Sequence, residues 1–161
     1  QEVACHRLAT QCGAAAERGA SREVIAYVET SVLLRIVLGE SKPLKQWGSI
    51  DVALSSELIR VEALRSIDRA RIQLQLSDAE LSDRRAGILA TLAGFHLARV
   101  NRRVLARAAE PFPTSLRTLD AIHLATAELA RTDHAGLVFA THDGELGRAA
   151  RAIGFQVIGT P

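Results

Sequence analysis

Short apolar runs rich in β-branched residues alternate along this chain with longer stretches of helical spacing. Val24 to Val28 is such a run, of the kind found in strands buried on both faces. A helix from Val32 to Leu38 follows, with Thr30 or Ser31 as its cap and Gly39 as its stop. Pro43 to Trp47 reads as a short helical turn, and Asp51 to Leu54 as a second strand. Ser55 or Ser56 then opens a long amphipathic helix to about Gln75, with Leu58, Val61, Leu64 and Ile67 as its apolar stripe.

Ser77-Asp78-Ala79-Glu80 is a capping-box pattern and starts a helix to about Ala93. His96 to Val100 is the third predicted strand, and Asn101 begins a short helix that ends before the rigid Pro111-Phe112-Pro113 connection. A helix over Arg117 to Ala130, a strand over Leu137 to Ala140, a helix led by Asp143 to Ala152 and a last strand from Phe155 to Ile158 complete the series. Strands alternating with helices predict an α/β fold: one domain with a mostly parallel sheet flanked by helices on both faces.

Composition narrows this little. With 161 residues, 48% of them hydrophobic and 24% charged, the chain is an ordinary globular sequence long enough for one core. Aromatics are only 4%, so aliphatic packing dominates and extensive base stacking is disfavoured. A formal charge of +2 is compatible with a polyanionic partner without requiring one. No apolar run reaches the roughly 18 residues of a membrane span, and Gln1 to Arg22 carries no apolar leader core, so a cytoplasmic location with no membrane contact is expected. Neither GxGxxG nor GxxxxGK[ST] occurs, which argues against dinucleotide or P-loop nucleotide binding.

The first 23 residues differ in kind. They are rich in Ala and Gly without periodicity, and the chain has no Met. The working domain is expected to span 24–161, starting at or near Val24, with 1–23 an extension outside it. Cys5, Cys12 and His6 fall in that extension, at a spacing that matches no common metal site.

Chemistry concentrates in four acid-bearing segments: Val28-Glu29-Thr30-Ser31, Glu57 to Glu62, Leu119-Asp120-Ala121-Ile122-His123, and Thr141-His142-Asp143. For each acid taken alone, the commoner fate is a helix-start carboxylate on the helix dipole. In an open α/β sheet, however, ligands bind beyond the carboxyl ends of the strands, where Glu29 and Asp143 are expected. Asp120 stands among Leu119, Ala121 and Ile122, where an unpaired carboxylate is costly without a cation or hydrogen bonds. Glu57 and Glu62 are five apart and share no helix face, so only one of them reaches such a site.

These segments carry a resemblance. Ala26-Tyr27-Val28-Glu29-Thr30-Ser31-Val32-Leu33-Leu34, Ser55 to Arg65, Leu116 to Ala125 and Ala140 to Ala150 follow one another as in PIN-domain ribonucleases of the VapC toxin type. Leu119-Asp120-Ala121-Ile122-His123-Leu124-Ala125 is the most specific of them. The resemblance implies a metal-dependent endoribonuclease, the toxin of a toxin–antitoxin pair, dimeric and inhibited by a cognate antitoxin. It implies Mg²⁺, with Mn²⁺ as an alternative, held by Glu29, Asp120, Asp143 and Glu62. It also suggests water or phosphate positioning by Thr30 and Thr141. Arg60, Arg65 and Arg117, and further Arg99, Arg102 and Arg103, are candidates for RNA phosphate contacts. His123 is expected to be a packed, hydrogen-bonded core residue, and His142 is left open.

One position departs from the family pattern: its first acid is normally Asp, and here it is Glu29. The extra methylene moves the carboxylate by roughly 1.5 Å, whereas Mg²⁺ demands near-octahedral ligands at about 2.0–2.1 Å. The expectation is retained but retuned activity. The alternative is a non-catalytic PIN-fold module that binds RNA or a protein partner through a site weakened by Glu29. A phosphatase with an aspartyl nucleophile is disfavoured, because no Asp-x-Asp follows the first strand.

Overall fold

The computed structural model describes residues 23–160. The extension assigned to 1–23, with Cys5, His6 and Cys12, lies outside the described residues except for Glu23. Five strands, β1 (Ile25–Val28), β2 (Val52–Ser56), β3 (His96–Ala98), β4 (Val138–Ala140) and β5 (Gln156–Ile158), form one sheet. Six α-helices, α1 (Thr30–Leu38), α2 (Leu58–Gln73), α3 (Asp78–Leu92), α4 (Arg102–Ala108), α5 (Thr118–Ala130) and α6 (Gly144–Ala152), accompany it. The strand order is β3-β2-β1-β4-β5, and every pairing is parallel.

Alternation along β1 divides the core. Tyr27 faces Phe139, Phe155, Leu124 of α5 and Leu146 of α6, whereas Ala26 and Val28 face Val32 of α1, Leu44 and Ala140. Both faces of the sheet are therefore covered, as the continuous apolar run over β1 requires. A third cluster joins Leu33 of α1 to Ile59, Ala63 and Ile67 of α2 and Ile88 and Leu92 of α3. Each fully buried aliphatic or aromatic side chain contributes about 1.5–3 kcal/mol of burial free energy.

Several boundaries differ from the sequence expectation for physical reasons. Ser55 and Ser56 end β2 rather than open α2, because the Ser55 hydroxyl donates to Val28 O at 2.7 Å and so ties β2 to β1. The buried stripe of α2 is Ile59, Ala63 and Ile67, and Val61 is 58% exposed. A strict spacing of three slips about 60° per step around a helix, so the expected stripe winds through about half a turn by Ile67. A spacing of four drifts by only about 40° per step and keeps one face inward. Helix α1 is capped by Glu29, whose carboxylate accepts from Ser31 N, and neither Thr30 nor Ser31 is the cap. The turn expected over Pro43–Trp47 is a 3₁₀ turn at Trp47–Ser49, displaced because Leu44 drops into the core beside Val28 and Val32.

The order of strands creates the functional geometry. From β1 the chain steps outward to β2 and β3, then returns to place β4 and β5 on the other side. The switch point lies between β1 and β4, and the carboxyl ends of these two strands open the crevice where open α/β sheets bind ligands. Glu29 follows β1 there, joined by its N–H to Ala140 O at 2.9 Å, and Thr141 to Asp143 follow β4. Gly159 closes the far wall with φ +97, and any Cβ there would lie 2.4 Å from Thr141 O.

Candidate active site

Glu29, buried to 8% exposure, is the deepest of the four acids. Besides Ser31 N at 3.0 Å, its carboxylate accepts from the Ser31 hydroxyl and from Thr141 Oγ1 at 2.9 Å. Thr141 Oγ1 also accepts from Asp143 N at 3.0 Å, so one hydroxyl links the β1 acid to the β4 acid. Asp143 caps α6 with one carboxylate oxygen, which accepts from Glu145 N at 2.8 Å and Leu146 N at 2.9 Å. Its second oxygen has no partner among the described residues.

Glu62 comes from the second turn of α2 and is held from two sides. Thr30 Oγ1 donates to its Oε2 at 2.5 Å, and His123 Nε2 lies 2.6 Å from the same oxygen. On the far side of the imidazole, Nδ1 is 2.8 Å from the Tyr27 hydroxyl, which accepts from Ser56 N at 3.1 Å. Burial pushes the Tyr27 phenol far above its usual range, so it remains protonated. The Glu62 carboxylate, an acceptor, places a ring proton on Nε2, aimed at it. His123 is thus the packed, hydrogen-bonded core histidine expected, at 1% exposure.

The electrostatics of Glu62 and Asp120 diverge. Burial, the largest influence on Glu62, pushes its carboxyl up, but the His123 and Thr30 hydrogen bonds and the charges of His123 and Arg69 outweigh it and hold the group low. Asp120, in the first turn of α5, has no such donors. Burial first, then repulsion from Asp143, Glu29 and Glu62, hold it above the ordinary carboxylate range, with His123 offsetting only part. Asp143, Glu29 and Glu62 thus lie within electrostatic reach of Asp120.

Glu57 does not take part: its carboxylate accepts from Val100 N at 2.8 Å and secures the end of β3. The hydroxyls of Thr30 and Thr141 are spent on carboxylates, so in this structure they orient acids rather than offer themselves to water or phosphate. Arg65 and Arg69 stand at one end of a hollow of about 370 Å³ that exposes Glu29, Thr30 and Glu62 beneath Leu58, Val61 and Leu119. Arg117 lines a second hollow, of about 390 Å³, with Arg148, Glu145 and Ser115. Arg60 is exposed on α2, and Arg99 and Arg103 line a cavity of about 460 Å³ beside β3.

The donor set, four carboxylates and no neutral nitrogen, is that of a site for a hard divalent cation. Among the described residues, no three Asp, Glu, His or Cys side chains are gathered closely enough to hold a metal ion as they stand. Glu29, Glu62 and Asp143 instead turn oxygens toward protein donors, and Asp120 carries the uncompensated charge. The residues fit such an ion by charge and chemistry, with their orientation already set by Ser31, Thr30, His123 and Thr141.

Sequence reasoning assigned no role to Tyr27 or Arg69 and took Ser31 only as one of two candidate helix caps. Tyr27 reads as a strand residue, and its partner His123 is 96 positions away, so no local pattern joins them. The Ser31 signal was available in part, because a hydroxyl two residues after a strand-end acid is placed to bond it.

A family model described as the PIN domain matches residues 26–152. Among curated proteins, the chain is 36% identical over 135 residues to Ribonuclease VapC46 of Mycobacterium tuberculosis (strain ATCC 25618 / H37Rv), an alignment covering 82% of this chain and 95% of that protein.

Proposed function

The chain belongs to the PIN-domain family, and from that premise we propose that it is a metal-dependent endoribonuclease, the toxin of a toxin–antitoxin pair. The observation that carries the reading is the PIN-domain match over residues 26–152, which spans Glu29, Glu62, Asp120 and Asp143. The concentration of negative charge around Asp120 calls for a cation. Glu29, Asp120 and Asp143 would hold Mg²⁺ or Mn²⁺, with Glu62 direct or through water. When bound, such an ion supplies Lewis acidity toward a water and the scissile phosphate.

The chain's own residues do the rest. His123 and Thr30 fix the Glu62 carboxylate in its ionised form, able to orient or accept a proton from an attacking water. Thr141 and Ser31 fix Glu29, and the α6 amides fix Asp143. Glu29, Glu62 and Asp143 therefore reach the reaction already oriented, which lowers the reorganisation the transition state would otherwise demand.

The catalytic domain on this reading spans Val24 to Pro161 and acts in the cytoplasm as a homodimer. No helix among the described residues is long and apolar enough to cross a membrane. The antitoxin occupies the hollow between α1 and α2, where Val61 is 58% and Leu119 45% exposed above Glu29 and Glu62. Apolar antitoxin side chains fit that rim, and a basic one fits the acids below it.

The test is cleavage of a mixed cellular RNA pool by purified protein in Mg²⁺, Mn²⁺ or EDTA. Products are expected with either metal and none in EDTA. A Glu29→Asp variant is expected to stay folded, since Asp is a better helix cap than Glu, and to shift the ratio of Mg²⁺ to Mn²⁺ activity. RNA that is retained without products in both metals would sink the nuclease reading in favour of a binding module. An unchanged metal preference in Glu29→Asp would remove the tuning role from Glu29.

A further inference from the structure

A hollow of about 480 Å³ lies between α1 and the segments that follow β4 and β5. Arg35, Lys42, Lys45, His142, Gly159 and Thr160 contribute to its wall, and no acidic residue does. Lys42 and Lys45 are exposed and form no ion pair among the described residues. Arg35 is drawn toward them by its Nη1, which donates to Lys42 O at 3.4 Å, and its contact with Glu40 is loose at 3.7 Å. Lys42 itself adopts φ 66, an uncommon backbone for a side chain with a Cβ, at the turn that carries both lysines to the rim.

His142 connects this hollow to the site. Its backbone N–H donates to the Ser31 hydroxyl at 2.9 Å, and that hydroxyl donates to Glu29. Its ring Nδ1 donates to Gly159 O at 2.8 Å, and Nε2 is buried with no partner among the described residues. Buried polar atoms of this kind are rare in folded proteins, and as a lone-pair acceptor this one suits a water rather than a phosphate oxygen. His142, in the wall of this hollow, thus stands two hydrogen bonds from the first acid and one residue from Asp143.

RNA brought onto four carboxylates is repelled by them, and the repulsion must be offset by cations beside the scissile phosphate as well as upon it. We propose that the Arg35–Lys42–Lys45 hollow binds a backbone phosphate of the RNA strand next to the one cleaved. This rests on the ribonuclease reading and deepens it by fixing on which side of the acids the strand continues. The contact is with phosphate and not base, so it positions the chain without selecting sequence.

The experiment uses the full chain, a fluorescent single-stranded RNA of mixed sequence, and EDTA to prevent cleavage. Affinity is measured against KCl concentration for wild type and for Lys42→Gln/Lys45→Gln, whose exposed positions leave the core untouched. The wild-type slope of log affinity on log salt is expected to fall in magnitude by about 0.7 in the variant, the value for one lost single-strand phosphate contact. In parallel Mg²⁺ and Mn²⁺ assays the variant should raise KM with kcat within about twofold, the signature of lost uniform binding. An unchanged salt slope in a pair that both cleave RNA would overturn the hollow and leave the nuclease standing, whereas no cleavage by wild type would sink the nuclease itself. Inorganic phosphate and a mononucleotide serve as competitors. Tight binding of either with an unchanged RNA slope would assign a small-molecule phosphate site and overturn the proposal. So would loss of poly-glutamate binding with the RNA slope intact, which would assign the lysines to an acidic protein partner.

Discussion

Asp120→Asn is expected to reduce RNA cleavage by a hundred- to a thousand-fold and, at neutral pH in EDTA, to raise the melting temperature. The two effects share one cause. Asp120 sits where burial and the charges of Asp143, Glu29 and Glu62 disfavour its ionised form. A carboxyl whose pKa is raised by folding stabilises the fold at pH below its unfolded value, near 3.9. That contribution is lost as pH rises through the higher folded value. At pH 7 the wild type therefore folds against the cost of this charge, and a neutral amide of the same shape relieves it. The group is half-buried, so solvent screening limits the gain to about 1 kcal/mol or less, or up to about 2–4 °C for a domain of this size. Below pH 4 the difference should vanish, because both side chains are then neutral.

Metal separates this from a mere surface charge effect. Added Mg²⁺ or Mn²⁺ stabilises the folded wild type by mass action, and the variant, having lost a ligand, should gain less. The loss of cleavage is in the range found when one electrostatic contact is removed from an active site. Thermal melts in EDTA and in each metal, with the RNA assay alongside, check all three expectations. A variant that cleaves like wild type would take Asp120 out of the site. A melting temperature that falls in EDTA would show that the carboxylate is compensated by donors and is not in excess.

How far the sequence alone leads can be judged from particular residues. The order of strands and helices was readable because β1 and β4 are apolar on both faces and because Gly39, the Ser77–Glu80 box, Asn101 and Asp143 mark helix ends. Local chemistry fixes those features. The face of α2 was misread because Leu58, Val61 and Leu64 offered a plausible spacing of three, while Ala63, an inconspicuous residue, does the packing against α3. Glu29 was not recognised as a cap because Glu is not among the usual capping side chains; Ser31 and Thr141 hold it in that role. The four acids could be gathered from sequence only through family resemblance, since their partners lie up to 112 positions apart. What no pattern conveyed was the division of labour among them: one acid neutralised by a histidine, two by backbone and hydroxyl donors, one left in excess.

That histidine carries the second large effect. His123→Leu is expected to lower stability by about 2–4 kcal/mol, because it strips a partner from two buried groups at once. Tyr27 would keep its hydroxyl in the core without Nδ1, and Glu62 would lose the donor 2.6 Å from its Oε2. For a domain of this size the loss corresponds to about 5–15 °C in melting temperature. Cavity effects cannot produce the accompanying change in titration. In the wild type the Glu62 carboxyl is held below its ordinary value, so it stabilises the fold above about pH 4.3, and that stability is lost only as pH falls through the lower folded value. Without His123 the burial of Glu62, already the largest single influence, is no longer outweighed, and its titration moves up. Carboxyl NMR of Glu62 reads this directly. His123→Gln, which retains one donor on a side chain of similar reach, should recover much of the low Glu62 titration but not the Tyr27 contact. It should also restore more kcat than KM, as a positioning role predicts. If His123→Leu melts and titrates like wild type, the imidazole is packing alone, and Glu62 owes its ionised form to Thr30 and Arg69.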